Sequence, residues 1–217
     1  MIEILYQDEQ ILMVNKPAGL SVLAEGWEKD AEYLVKILEA QFGKIWVAHR
    51  IDKITSGVVI FALTAEAHRS LNIQFEKHQV EKTYHALVNG APAWEEKTTK
   101  FPLRVNVGHK HRTMVDNRNG VKSETRFKVL RRGASVSLWQ ASPQTGRTHQ
   151  IRVHAYALGY PLLGDSLYSA PPTDLIARPA LHAYALTVTH PASNERVTFT
   201  APYPKDFEDA RRAAFAK

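Results

Sequence analysis

An α+β fold built around a mainly antiparallel sheet is what this sequence predicts, and three observations carry the prediction. Strand-like segments outnumber helical ones, they do not alternate strictly with helices as a doubly wound parallel sheet requires, and the first two are parted by only four polar residues. No repeat, low-complexity tract or Pro/Gly/Ser-rich linker interrupts the 217 residues, so a single domain over 1–217 is expected. Apolar residues make up 44% of the chain, enough for a core of that size.

Residues 2–6 and 11–15 read as a strand pair joined through Gln7, Asp8, Glu9 and Gln10, and Lys16-Pro17-Ala18-Gly19 ends the second strand. In residues 30–42, Leu34, Ile37, Leu38 and Phe42 recur at helical spacing, with Gly43 as the stop. Residues 58–63 form a near-continuous apolar run, the mark of a buried strand. Thr64 then caps a helix with Glu66 in its first turn and Ala67, Leu71 and Phe75 on its inner face. Residues 82–88 alternate as a strand, and a basic excursion follows that is expected to turn around Asn117 to Gly120. Residues 124–130 and 135–141 alternate again, Thr145-Gly146 leads into a helix over 147–158, and Gly159 closes it. Strands over 184–189 and 196–200 and a terminal helix over 206–215 complete the series.

Charge is unevenly spread. The net value is +6, yet residues 1–48 carry eight acidic against four basic side chains, whereas residues 103–132 carry nine basic against two acidic. Such a basic block suits a polyanion such as RNA, although a solvated loop would have the same composition. The absence of cysteine excludes disulfides and thiolate metal sites, and the acidic start MIEILYQDEQ does not resemble a signal peptide. With no apolar run near the roughly 18 residues of a membrane span, a cytoplasmic protein without membrane contact is expected.

Local patterning points to one site. HRIDKITSG, residues 49–57, sets Asp52 between Arg50 and Lys53 where an apolar segment meets a buried strand, and strand ends aim side chains from a rigid base. Ten histidines invite a metal reading, but His149 and His154 are five apart, His109 and His111 lie in the basic excursion, and there is no HExxH. No metal is therefore expected. Ser56 and Ser142 lack a nucleophile elbow, and neither phosphate-binding glycine motif occurs, so no nucleotide cofactor is implied. Taken singly, Asp52 could be a turn residue, Tyr84 a strand aromatic and Arg152 a helix-surface cation.

Together, HRIDKITSG, EKTYHALV and TGRTHQIRVHAYALGYPLLGDSLY resemble the RluA-type family of pseudouridine synthases. They are similar to its HRxDxxTSG, KxYxAxV and TGRxHQ[IL]RVHxxxxGxPxxGDxxY patterns, and the opening ILYQDEQILMVNKPAGL and the later LHAYALTVTHP extend the likeness over about residues 4–202. The resemblance implies a bisected mixed sheet flanked by helices with a catalytic cleft at its middle. It also implies a short member without a separate S4-like RNA-binding domain, which needs no cofactor and isomerises uridine to pseudouridine within ribosomal or transfer RNA. Carried over by motif, Asp52 is the catalytic aspartate, Tyr84 the aromatic that stacks on the base and helps remove the C5 proton, and Arg152 the basic partner of Asp52. Ile151 adds an apolar wall near the base, and Arg50 moves into the space near the flipped base. Arg147, His149 and Gln150 are expected to contact RNA backbone or shape the site, and Lys110, Arg112 and Arg118 to contact phosphates. The segment 105–121 agrees least with the family pattern, which leaves the RNA target open. A monomer is expected.

Two other functions fit parts of the pattern. An RNA-binding or RNA-folding factor would keep the cleft without turnover, and a DNA glycosylase would flip a base but release it free. Retention of Asp52, Tyr84 and Arg152 together favours the isomerase.

Overall fold

In chain order the elements are β1 (Glu3–Gln7), β2 (Ile11–Lys16), α1 (Leu34–Phe42), β3 (Trp46–Val47), β4 (Ser56–Ala62) and α2 (Ala65–Glu76). There follow β5 (Glu81–Asn89), β6 (Glu96–Thr99), β7 (Leu103–Val107), β8 (Arg112–Val115), β9 (Thr125–Arg132) and β10 (Val136–Pro143). The last are α3 (Gln150–Ala157), a 3-10 turn at Ser166–Tyr168, β11 (Leu181–Thr189), β12 (Arg196–Thr200) and α4 (Lys205–Ala214). They come from a computed structural model that describes residues 1–24, 31–108 and 112–216. The fold is α+β with a mainly antiparallel sheet flanked by helices, as the sequence predicts.

The chain divides into two units, residues 1–82 with 183–203 and residues 83–182 with 204–217. In the first, Asp8 closes the opening hairpin by accepting the N–H groups of Gln10 and Ile11 on one carboxylate oxygen, both at 2.8 Å. Strand β2 then pairs antiparallel with β4, Lys16 lying opposite Gly57. Both strands are buried almost throughout, which is why they read as apolar runs rather than alternating ones. Their residues Ile11, Met13, Val58 and Ile60 pack with Leu71 of α2 and Val188 of β11. Short β3 pairs with the end of β4, and β12 pairs with β11.

In the second unit β5, β10, β9 and β6 are joined in that order by antiparallel pairings. Phe127 and Trp139 sit on this sheet's inner face with Val88, Leu162 and Ile151 of α3. Each large apolar side chain so buried contributes about 2–3 kcal/mol. A separate two-stranded ribbon, β7 with β8, carries the start of the basic block.

Four boundaries depart most from the sequence reading, one of them the start of β11 at Leu181 instead of 184. The ribbon reverses between Val107 and Arg112, whereas Asn117 to Gly120 form the next turn, where Asp116 accepts the N–H groups of Arg118 and Asn119. Helix α3 starts at Gln150 instead of 147, because His149 takes a left-handed conformation at φ 55° and breaks the ladder. Helix α1 begins at Leu34 behind an extended Tyr33, and the expected start at 30 lies outside the described residues.

Candidate active site

Asp52 occupies a tight turn that feeds β4. The N–H of Thr55 donates to the Asp52 carbonyl at 3.0 Å, and Thr55 and Ser56 are buried beside it. Behind the turn lies Lys16, wholly buried, whose ammonium donates to the carbonyls of Pro17 and Leu20 at 2.8 Å and of Lys53 at 3.0 Å. The N–H of Gly19 reaches the same Lys53 carbonyl at 2.8 Å. A buried ammonium is tolerable because its protons have acceptors, and here those acceptors tie the loop after β2 to the residue following Asp52.

Two further residues of the motif fix the turn. Gly57 adopts φ +116°, and a Cβ there would fall 2.1 Å from the carbonyl oxygen of Ala183, so only glycine fits. His49 accepts the N–H of Ile60 on Nε2 at 3.1 Å and stacks on Phe75. Burial, with the Lys82 charge adding to it, pushes its pKa down to about 3, so it stays neutral and able to accept. The Asp52 side chain itself is half-buried and that of Arg50 is exposed.

Tyr84 stands in β5 opposite Ala141, half-buried, and packs against the apolar cluster that contains Ile151. Ile151 is thus part of a core wall that Tyr84 borders. Lys82 precedes it, and burial lowers its pKa to about 8.

Helix α3 carries Gln150, Ile151 and Arg152 in its first turn, all three buried. Arg152 is 2% exposed, and its Nε and Nη2 donate to the two carboxylate oxygens of Asp165 at 2.7 and 2.8 Å. Asp165 thus takes two of the three guanidinium nitrogens, as a formally neutral pair. The reason is proximity on the fold: Asp165 precedes the 3-10 turn that packs against α3, and Tyr168 of that turn lies under the guanidinium, 5.0 Å from carbon to ring centre.

Gln150 is buried. Its amide donates to the Glu124 carbonyl and Thr125 Oγ1 at 3.0 and 2.9 Å, and its oxygen accepts from Thr145 Oγ1 and the N–H of Arg147 at 2.6 and 3.1 Å. All four hydrogen-bonding positions of the amide are filled, so the residue clamps the TGR loop. Through that clamp it presents Arg147, which is exposed. His149 directs Nδ1 to the Tyr168 hydroxyl at 3.0 Å. His154, weighed as a metal ligand from spacing, is buried with Nδ1 on Thr125 Oγ1 and Nε2 near Ser123 Oγ and the Phe101 carbonyl.

Much of the basic block is internally matched. Arg104 pairs with Asp116, Arg126 and Lys128 with Glu96, and Arg132 with Glu95. Arg112, Arg118, Lys122 and Arg147 have no carboxylate partner among the described residues. Lys110 lies outside them.

Sequence reasoning gave no role to Lys16, Asp165 or Tyr168. Each stood within a quoted segment, KPAGL or GDSLY, but nothing in linear spacing shows that an Asp thirteen residues after Arg152 returns to it.

Residues 10–157 match the family model described as RNA pseudouridylate synthase. The chain is 37% identical over 201 residues to the dual-specificity RNA pseudouridine synthase RluA of Escherichia coli, covering 92% of each, and 36% identical over 202 residues to that of Haemophilus influenzae, again covering 92% of each. Among solved structures it is similar to human RNA pseudouridylate synthase domain containing 1, with a TM-score of 0.79 and 30% identity over 94% of this chain and 84% of that one. Human RNA pseudouridylate synthase domain containing 4 shares the fold, with a TM-score of 0.76 over 96% of this chain and 91% of that one. By sequence and by fold this chain belongs to the RNA pseudouridylate synthase family and is an isomerase that acts on RNA.

Proposed function

We propose that Asp52 performs the isomerisation on a uridine flipped out of a structured loop of ribosomal or transfer RNA. The observation that carries this reading is the Asp52 turn, a half-buried carboxylate on a backbone pinned by Lys16, Gly19 and Thr55. A carboxylate so held can meet the positive charge that develops at C1′ as the bond to N1 breaks, by attack or by electrostatic stabilisation, and removal of a sugar proton needs the same ionised state. The uracil is turned, C5 bonds to C1′, the C5 proton leaves and N1 gains one, so the mass of the RNA is unchanged.

Tyr84 supplies the face on which the base stacks and helps take the C5 proton, with Ile151 behind it. Arg152 contributes through Nη1, since Nε and Nη2 hold Asp165. Arg50 fills the gap left in the stack, an opening that costs about a few kcal/mol and less in a loop. Arg112, Arg118, Arg147 and, by sequence position, Lys110 meet phosphates. That the related RluA proteins are called dual-specificity supports more than one RNA target. We take the two units as one catalytic domain, since neither is a continuous stretch of chain, and the working form as a cytoplasmic monomer.

The test is tritium release from ribosomal and transfer RNA transcribed in vitro with 5-tritiated uridine, with Asp52→Asn beside the parent. The parent should release tritium, and Asp52→Asn should release none while binding RNA within about tenfold of the parent, because phosphate contacts dominate affinity. Tight binding by a parent that releases nothing from any transcript would favour the RNA-binding factor on these substrates, and free uracil would favour a glycosylase.

A further inference from the structure

One hydroxyl connects the basic ribbon to the helix that carries Arg152. Tyr168 is 4% exposed, and its oxygen accepts the N–H of Thr113, in β8 next to Arg112, at 3.0 Å. The same oxygen lies 3.0 Å from Nδ1 of His149. A phenol oxygen that accepts from Thr113 keeps its own proton and a second lone pair for the imidazole nitrogen, so both hydrogen bonds can form together in either tautomer of His149. A histidine at φ 55° is an uncommon conformation for a residue with a side chain, and this contact turns the ring toward Tyr168.

The ring of Tyr168 is used as well. It packs with Leu103 of β7 and Val153 of α3 in one buried cluster, with Val115 of β8 against it, and it supports the Arg152 guanidinium. Asp165, at the head of the same 3-10 turn, holds that guanidinium from its edge. The ribbon's own second strand is short, and Thr113 is buried although its neighbour Arg112 is exposed. A ribbon of nine residues in two strands is marginal alone, so its pose depends on what its backbone is fastened to.

We propose that Tyr168 is a positioning residue for RNA recognition: through its hydroxyl it fixes the pose of the ribbon bearing Arg112 relative to His149 and Arg152, so that phosphate contacts on the ribbon fall in register with the reacting nucleotide. The inference rests on the RNA contacts proposed above for the ribbon. Its consequence is a residue that touches no substrate yet sets how well a folded RNA is held, while the ring keeps Arg152 in place for chemistry.

Tyr168→Phe separates the two functions, since it keeps the ring and removes the hydroxyl. Hydrogen exchange of the protein without RNA should show the Thr113 amide and its β8 neighbours exchanging about tenfold or more faster, with amides of β5 and β10 unchanged. On whichever of the ribosomal and transfer RNA transcripts the parent releases tritium from, KM should rise about tenfold with kcat within about twofold, the mark of lost binding rather than lost transition-state contact. Unchanged exchange at Thr113, equal acceleration of every core amide, or a fall in kcat at constant KM would each overturn the proposal. A parent without turnover counts against the Asp52 chemistry instead, and the exchange result still decides the anchoring role.

Discussion

Asp165 is the residue on which Arg152 depends, because a buried guanidinium is tolerable only while its carboxylate stays with it. Asp165→Asn keeps the shape but removes the charge, and should cost about 3–5 kcal/mol in a denaturant titration, as breaking a buried pair on one side does. Replacing both partners with apolar residues of similar volume, Arg152→Met with Asp165→Leu, should recover most of that stability but no turnover. His49 makes a different residue-scale prediction. Its folded pKa of about 3 lies below the ordinary 6.5, so between those values an unfolded chain takes up a proton that the folded one refuses. Its contribution is complete above pH 6.5 and is lost as pH falls toward 3, and His85, lowered to about 4 by burial and the neighbouring His182, adds to the same limb. His49→Gln keeps an acceptor for the Ile60 N–H and removes the titration. Its unfolding free energy should fall less steeply than the parent's over that pH range.

At the scale of elements, Thr64 shows a local signal surviving into the structure. Its hydroxyl accepts the N–H of Ala67 at 3.1 Å to start α2 and donates to Gln10 at 2.9 Å, so the cap also fastens the helix to the turn between β1 and β2. Thr64→Ala should cost about 2 kcal/mol by thermal unfolding, at the upper end for a cap since two bonds are lost. Elements of this kind were legible because their information is local: the apolar run of β4, the period of α2, the polar turn of the first hairpin. Strand β6, with the sequence Glu-Lys-Thr-Thr, was not, since nothing but its pairing to β9 makes it a strand. The start of α3 was misplaced for the same reason, as the Gln150 clamp and the Tyr168 contact that hold residues 145–149 out of the helix come from distant chain. The site divides likewise. Asp52, Tyr84 and Arg152 stood out through long motifs, whereas the contacts that Lys16 and Asp165 make exist only in space, and the sequence left Gln150 open between an RNA contact and a shaping role until its four bonds were placed.

For the whole molecule, the nine basic side chains of residues 103–132 overstate what is offered to RNA. Arg104 of β7 and Arg126, Lys128 and Arg132 of β9 face carboxylates of their own unit, so Arg104 and Arg126 would have to leave Asp116 and Glu96 before meeting a phosphate. Arg112 and Arg118 face no such competition among the described residues. Each phosphate neutralised releases counterions, and the slope of log affinity against log salt changes by about 0.7–0.9 per contact. Binding of transcribed transfer RNA between about 50 and 200 mM KCl should therefore show slopes reduced by about one unit for Arg112→Ala and for Arg118→Ala. Arg104→Ala and Arg126→Ala should shift the slope by less than half as much, because their guanidinium groups make few phosphate contacts to lose. Equal slopes for all four variants would mean that RNA draws the internal pairs apart, and that the whole basic block acts as one diffuse field instead of a few placed contacts. The distinction matters for specificity, since a diffuse field holds any polyanion whereas placed contacts select the fold that presents its phosphates at the right spacing.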